Sequence, residues 1–266
     1  MSKHTSAAHW RLGQAVGPLL LVAVLAGCAT APNVDPRDPW EPYNRSMTRF
    51  NESVDSAILK PVATVYKQVL PQPVRTGVGN FFGNLSDAWS FVNNVLQAKP
   101  EGALHSFWRV VINTSIGIGG LFDPASEMKL ERHREDFGQT LGHWGVPPGP
   151  YFVLPVLGPS TVRDSAGLLV DFKGSAVGQI HDVPVRNSLT ATQIVDTRAR
   201  VLGVGEMIDS AALDPYTFTR DAYLQRRRND IYDGAPPDEE RYDLDEAQTP
   251  AAAASAPAPK PTSPAR

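Results

Sequence analysis

Residues 136–160 read DFGQTLGHWGVPPGPYFVLPVLGPS. Five glycines (Gly138, Gly142, Gly145, Gly149, Gly158) share this segment with Pro147, Pro148, Pro150, Pro155 and Pro159. Proline removes a backbone donor and glycine raises the entropic cost of order, so such density forbids regular helix over much of the length. Tyr151 to Leu154 is apolar and reads as a short extended piece. The sequence on either side has the opposite character, with apolar residues recurring at helical spacing. The segment therefore interrupts a mainly α chain.

On the N-terminal side, Tyr43, Met47, Phe50 and Val54 recur at steps of 4, 3 and 4 and share one helix face. The start is open. Asp38-Pro39-x-Glu41 resembles a capping box with proline at the first helical position, while Pro42 favours a start at Glu41. Pro61 then opens a segment with Val62, Val65, Tyr66 and Val69 on one face, closed by Pro71. Residues 73–98 form a longer helical stretch that Gly83-Asn84 could kink. Pro100 starts a further helix that ends near Gly117 to Gly120, and Asp123-Pro124 restarts a short one. Beyond residue 160, Ser160 is the expected N-cap of a helix through Val162, Ala166, Leu169 and Val170. Two more helices are expected over about 187–203 and 214–232, the second opened by Asp214-Pro215. From Gly234 the chain is rich in proline and alanine, and 233–266 reads as a disordered tail.

Composition excludes several classes. With 25 basic against 28 acidic residues in 266, the net charge of −3 offers no general basic field, so nucleic acid is not an expected partner. One cysteine permits neither an internal disulfide framework nor a cysteine-based zinc cluster. No Gly-x-Ser-x-Gly elbow occurs, and Gly117-x-Gly119-Gly120 lacks the last glycine of a dinucleotide loop. Past residue 28 the histidines are His105, His133, His143 and His181. None is paired at helical spacing, so no metal site is expected. These features describe a protein that is not an enzyme and needs no cofactor.

Residues 1–27 read as an export signal. Lys3 and Arg11 precede an uncharged run from Ala15 to Gly27 that is too short to span a bilayer, which takes roughly 20 residues. It ends Leu25-Ala26-Gly27-Cys28, the pattern at which a bacterial lipoprotein is acylated on cysteine and cut just before it. Residues 28–37 are then a lipidated tether, and 38–232 the folded domain. Three acyl chains make attachment effectively permanent, since two already suffice. Ala29 after the cysteine permits passage to the outer membrane. Beside such an anchor the aromatic stripe Phe81, Phe82, Trp89, Phe91, Phe107 and Trp108 has two readings, a core or an interfacial face. Arg163-Asp164 could bind a lipid headgroup or form a local ion pair. Arg226-Arg227-Arg228 could meet anionic lipid or end the last helix in solvent.

Several blocks are similar to the MlaA (VacJ) family of outer-membrane lipoproteins. They include Asp38-Pro39-Trp40-Glu41-Pro42-Tyr43-Asn44-Arg45 with Phe50-Asn51, and Pro73 with Arg75, Gly77 and Asn80-Phe81. Further blocks are Phe137-Gly138-Gln139-Thr140-Leu141-Gly142-His143-Trp144-Gly145, Gly149-Pro150-Tyr151, Arg163-Asp164 and Asp214-Pro215-Tyr216. The resemblance covers about 38–228 and leaves out the tail. It implies a ring of short amphipathic helices lying in one leaflet around an amphipathic channel. It also implies removal of phospholipids misplaced in the outer leaflet, a trimeric porin as neighbour, and a soluble periplasmic carrier, MlaC, as recipient. Gly138, Gly142, Gly145, Gly149, Pro150, Tyr151, Arg163 and Asp164 are the candidate channel wall and gate. The expected outcome at the anchor is direct: Cys28→Ser leaves an uncleaved, unacylated precursor, read by intact mass and by incorporation of labelled palmitate.

Overall fold

The computed structural model describes residues 35–204 and 212–237. The export signal, Cys28, most of the tether and residues 238–266 of the tail lie outside the described residues. Nine helices and one hairpin are described: α1 (Glu41–Val54), α2 (Lys60–Val69), α3 (Gln72–Leu96), α4 (Pro100–Ser115), α5 (Pro124–Glu127), α6 (Phe137–His143), β1 (Tyr151–Leu154), β2 (Gly158–Thr161), α7 (Val162–Gly174), α8 (Val183–Arg200) and α9 (Pro215–Ile231).

The helices fall where the apolar periodicity puts them, with four differences. Pro61 does not open a new helix. A π-helical turn, Asp55–Leu59, joins α1 to α2, and the Lys60 amide donates to the Asp55 carbonyl five residues back. That widened turn accommodates the donor Pro61 lacks. The segment 136–160 does hold one helix, α6, whose N-cap Asp136 accepts from the Gln139 amide at 2.8 Å. Its extended piece is half of an antiparallel hairpin, Tyr151 opposite Thr161 and Leu154 opposite Gly158. Ser160 lies in β2, and Thr161 caps α7 instead, accepting from Asp164 at 3.2 Å. Finally, α8 begins at Val183, earlier than expected, because Asp182 caps it. The first helix starts at Glu41, and α3 runs unbroken through Gly83-Asn84.

Packing closes on itself. Helix α2 lies on α8, α8 on α3, α3 on α6, α6 on α9, α9 on β2, and β1 on α1, which leads back into α2. Short helices broken by Pro and Gly make such a circuit possible, because each break lets the chain turn.

The polarity of this circuit is inverted. Among the described residues, twenty-one polar or charged side chains are buried, against ten hydrophobic ones, four of them alanine. Arg109, Asn44, Asn93, Asn113, Asp87 and Asp196 are almost wholly enclosed. Meanwhile Val62, Val65, Val69, Trp108, Ile116, Phe122, Leu169 and Phe172 face outward. A buried polar group or a broad exposed apolar surface is each informative by itself, and their combination does not suit water. The aromatic stripe divides accordingly: Phe82 is buried, and Phe107 and Trp108 are exposed. No helix among the described residues is long and apolar enough to cross a membrane.

With little apolar core, close helix contacts must come from small residues. A Cβ at Gly167 of α7 would stand 2.6 Å from the Gly138 nitrogen and 2.8 Å from its Cα in α6. Both are backbone atoms and cannot swing aside. Gly167→Ala should therefore part α6 from α7 and cost about 1–3 kcal/mol. Chemical denaturation in detergent measures it.

Candidate functional site

The hairpin is fixed first. The outer edge of β1 would normally offer a row of unpaired backbone groups. Here α1 supplies the missing partners from side chains. Asn44 Nδ2 donates to the Tyr151 carbonyl at 3.1 Å, and Asn44 Oδ1 accepts from the Val153 amide at 2.9 Å. Two helical turns on, Asn51 Nδ2 donates to the Leu154 carbonyl at 2.9 Å and its Oδ1 accepts from the Val156 amide at 2.7 Å. The Arg37 carbonyl takes the Tyr151 amide. Asn44 also donates to the buried Asp38 at 2.7 Å, which receives the Tyr216 hydroxyl at 2.5 Å. Arg45 grips Asp214 at 2.6 Å and lies 4.3 Å over the Tyr216 ring. Family-motif residues Asn44, Arg45 and Asn51 thus meet Tyr151 around one hairpin.

Behind the hairpin lies a charged knot. Arg227 of α9 reaches Asp136 at 2.6 and 2.9 Å and Asp164 at 3.1 Å. Arg163 holds Asp164 at 2.8 Å, and the Tyr223 hydroxyl donates to the second oxygen of Asp164 at 2.9 Å. Burial raises the carboxyl pKa values of Asp136 and Asp164, but the hydrogen bonds and charge of Arg227 outweigh it and leave both below the ordinary range. Arg163-Asp164 is therefore a local ion pair inside a larger network. Gly138 leaves the space this network needs, since a Cβ there would stand 2.7 Å from Asp164 and 2.8 Å from Arg227. The arginine run at 226–228 is split: Arg227 is buried, and Arg226 and Arg228 are not.

In front of the knot opens a cavity of about 940 Å³. Gly142, Gly145, Gly149 and Arg163 line it on one side, and Leu224, Gln225 and Ile231 of α9 on the other. Four of the eight candidate gate residues are thus in its wall. Gly145 and Gly149 have φ of +86° and +66°, which side chains other than glycine rarely adopt, and the loop between them turns on these two points. Trp144, exposed, ties the loop to α3 by donating to the Leu96 carbonyl at 2.9 Å. Gly138, Asp164 and Tyr151 stand behind the wall, and the Pro150 carbonyl receives the Val162 amide.

Asn80, Phe81 and Phe50 stand apart from this site. Asn80 donates to the Leu121 carbonyl, Phe81 packs edge-on against Phe82, and Phe50 faces outward. Arg227 was read from sequence only as part of the 226–228 run, and its partners Asp136 and Tyr223 were not marked as site residues. The signal for Tyr223 and Arg227 was the stripe Tyr216, Arg220, Tyr223, Arg227 and Ile231, which keeps one face of α9. Space also pairs two histidines that sequence keeps apart, His105 and His133, at 3.1 Å. No group of three or more His, Cys, Asp or Glu among the described residues could hold a metal.

The knot has a pH signature. Carboxylates with lowered folded pKa stabilise the fold above their unfolded value of about 4, and that contribution is lost as pH falls through the folded value. Arg227→Gln removes the cation and leaves buried carboxylates that prefer to be protonated. The variant should lose about 3 kcal/mol, at the lower end for a broken buried pair because Asp136 keeps some access to water. Its stability should rise on acidification from pH 7, where the wild type's does not. Thermal melts in detergent across pH read both effects.

The family model for the MlaA lipoprotein matches residues 36–230. The intermembrane phospholipid transport system lipoprotein MlaA of Escherichia coli K12 is 38% identical over 221 residues, covering 80% of this chain and 84% of the relative. That of Haemophilus influenzae is 35% identical over 225 residues, covering 81% and 89%. A solved structure presented under the words "Structural basis for maintenance of bacterial outer membrane lipid asymmetry" superposes with a TM-score of 0.65 at 36% identity, over 73% of this chain and 98% of that one. Nearly the whole described fold takes part in these matches, and the chain belongs to the MlaA lipoprotein family.

Proposed function

We propose that this chain is an outer-membrane lipoprotein, anchored through Cys28 and embedded from the periplasmic side in the inner leaflet. There it removes phospholipids that have strayed into the outer leaflet and so maintains lipid asymmetry. The lipid passes through an amphipathic channel in the ring of helices, whose wall and gate include the loop from Gly145 to Gly149. A periplasmic carrier of the MlaC kind receives it, and a trimeric porin is the neighbour in the membrane. No covalent bond is made or broken, and no cofactor takes part beyond the acyl chains on Cys28.

The observation that carries this reading is the inverted polarity. A phospholipid crossing unaided must drag its charged headgroup through hydrocarbon, where an unpaired charge is very expensive. A protein with polar groups inside and valine, leucine and phenylalanine outside offers the headgroup a polar route and keeps its own coat among acyl chains. The cavity beside the glycine loop joins both chemistries, with Arg163 and Gln225 near Val146, Leu224 and Ile231. The relatives' names supply the cargo class.

Deleting the protein should leave phospholipid in the outer leaflet, where an externally added phospholipase cleaves it. Gly145→Cys and Gln225→Cys, joined by a bifunctional thiol reagent, should reproduce that defect, and reversal of the link should cure it. Purified wild-type protein should carry phospholipid out of the membrane. A porin-associated scaffold that moves no lipid would carry none and would tolerate the link.

A further inference from the structure

A second pocket lies elsewhere on the circuit, where α2, α3 and α8 meet. It holds about 230 Å³ and shares no lining residue with the cavity beside the glycine loop. Its wall is polar: Tyr66 from α2, Gln72, Arg75, Thr76 and Asn80 from α3, Asp196 and Arg200 from α8.

The charges here do not cancel. Asp196 is buried and fully engaged, since one oxygen receives the Tyr66 hydroxyl at 3.0 Å and the other pairs with Arg200. The Arg200 guanidinium lies against Gly79 of α3, where a Cβ would stand 3.0 Å from it. That accounts for one arginine and one aspartate. Arg75 is left over. Its Nε donates to the Leu70 carbonyl at 3.1 Å, which fixes the side chain. No carboxylate among the described residues pairs with it, and its terminal nitrogens are left for the pocket. Burial, then the hydrogen bond and charge of Asp196, push the Tyr66 hydroxyl up to about 12, while the nearby positive charges of Arg200 and Arg75 pull the other way. Tyr66 therefore stays a neutral hydroxyl, and the net charge of the pocket is positive.

The surroundings narrow the ligand. Val62, Val65 and Val69 on α2, the helix that supplies Tyr66, and Val74 on α3, next to Arg75 in the chain, are all exposed. Its volume is below the roughly 300–1,000 Å³ of pockets that enclose a whole drug-sized molecule. It has room for a phosphate with a small alcohol attached, and the valines offer a place for chains to lie outside. A guanidinium with two free nitrogens suits two phosphate oxygens at once.

We propose that this corner is a second ligand site, which takes the phosphate group of an anionic phospholipid headgroup, with Arg75 as its main ligand and the Thr76 hydroxyl and Gln72 amide beside it. The site does not depend on the route of transport. It gives the circuit a fixed lipid at one corner, separate from any lipid in transit.

The test uses the full acylated protein in an uncharged detergent, with native mass spectrometry reading bound short-chain phosphatidylglycerol, short-chain phosphatidylcholine and inorganic phosphate in separate arms. Phosphatidylglycerol should bind the wild type more tightly than phosphatidylcholine. Arg75→Gln should weaken phosphatidylglycerol about tenfold or more, the scale of one lost charge-assisted pair. Arg75→Lys should recover part of the loss, because charge returns without the fork. Thr76→Val, on the same wall without the charge, should show a smaller loss and guards against a folding artefact in the arginine variants. Competition by inorganic phosphate would identify phosphate alone as sufficient, and its failure to compete would make the glycerol and chains part of recognition. Equal binding of phosphatidylglycerol to wild type, Arg75→Gln and Thr76→Val would overturn the site. Since the Gly145–Gln225 link probes transport at a different cavity, the two proposals can fail separately.

Discussion

An arginine seated on the carboxylate that caps a distant helix is the interaction on which the rest depends. Asp136 caps α6 and receives Arg227 of α9. Asp214 caps α9 and receives Arg45 of α1. Asp123 caps α5, receives Arg109 of α4 at 2.9 Å and sits at a pKa of about 2, the pull of its partners exceeding the push of burial. One carboxylate thus satisfies orphan amides, favours the positive end of a helix and pins another element. Ordinary domains do this joining with apolar side chains. A fold whose apolar side chains face outward has to join its helices by directional polar contacts.

This choice has an energetic logic. On the placement in a leaflet proposed above, the hydrophobic effect gives helices in hydrocarbon no reason to associate, so packing and hydrogen bonds decide. A buried ion pair gains little over a well-packed apolar contact, but breaking one is costly because the partner is stranded. The network therefore confers geometry more than raw stability. Arg109 shows the pattern most fully, with Asp87, Asp123, Ser126 and the Leu130 carbonyl around a single guanidinium. Glycines at the crossing points, Gly138 against Gly167 above all, let backbones come near enough for these bonds to form.

Much of the helical layout was legible because 3.6-residue spacing of apolar residues reports a face, whichever way that face points. Val62, Val65 and Val69 mark a stripe on α2 correctly, and only the structure tells that the stripe looks outward. The π-turn before Pro61 was hidden because proline at the start of a helix and proline after a widened turn share one local signature. The helix α6 was masked by its glycines, which serve neighbours distant in sequence: Gly138 makes room for Arg227. The glycine loop was legible from composition, and Gly142, Gly145 and Gly149 do line a cavity. The knot behind it was not, because Asp136 and Arg227 stand 91 residues apart and each has an unremarkable local role as a cap or a helix end.

The amides of Asn44 and Asn51 have a consequence beyond holding the hairpin. Proteins with greasy coats crowd together in a membrane, and an open strand edge among them is a template on which copies can zip into fibrils. Here that template is already occupied along β1 by side chains from α1 and by the Arg37 carbonyl. In the leaflet placement proposed above, copies pressed side by side would meet an edge whose backbone groups already have partners.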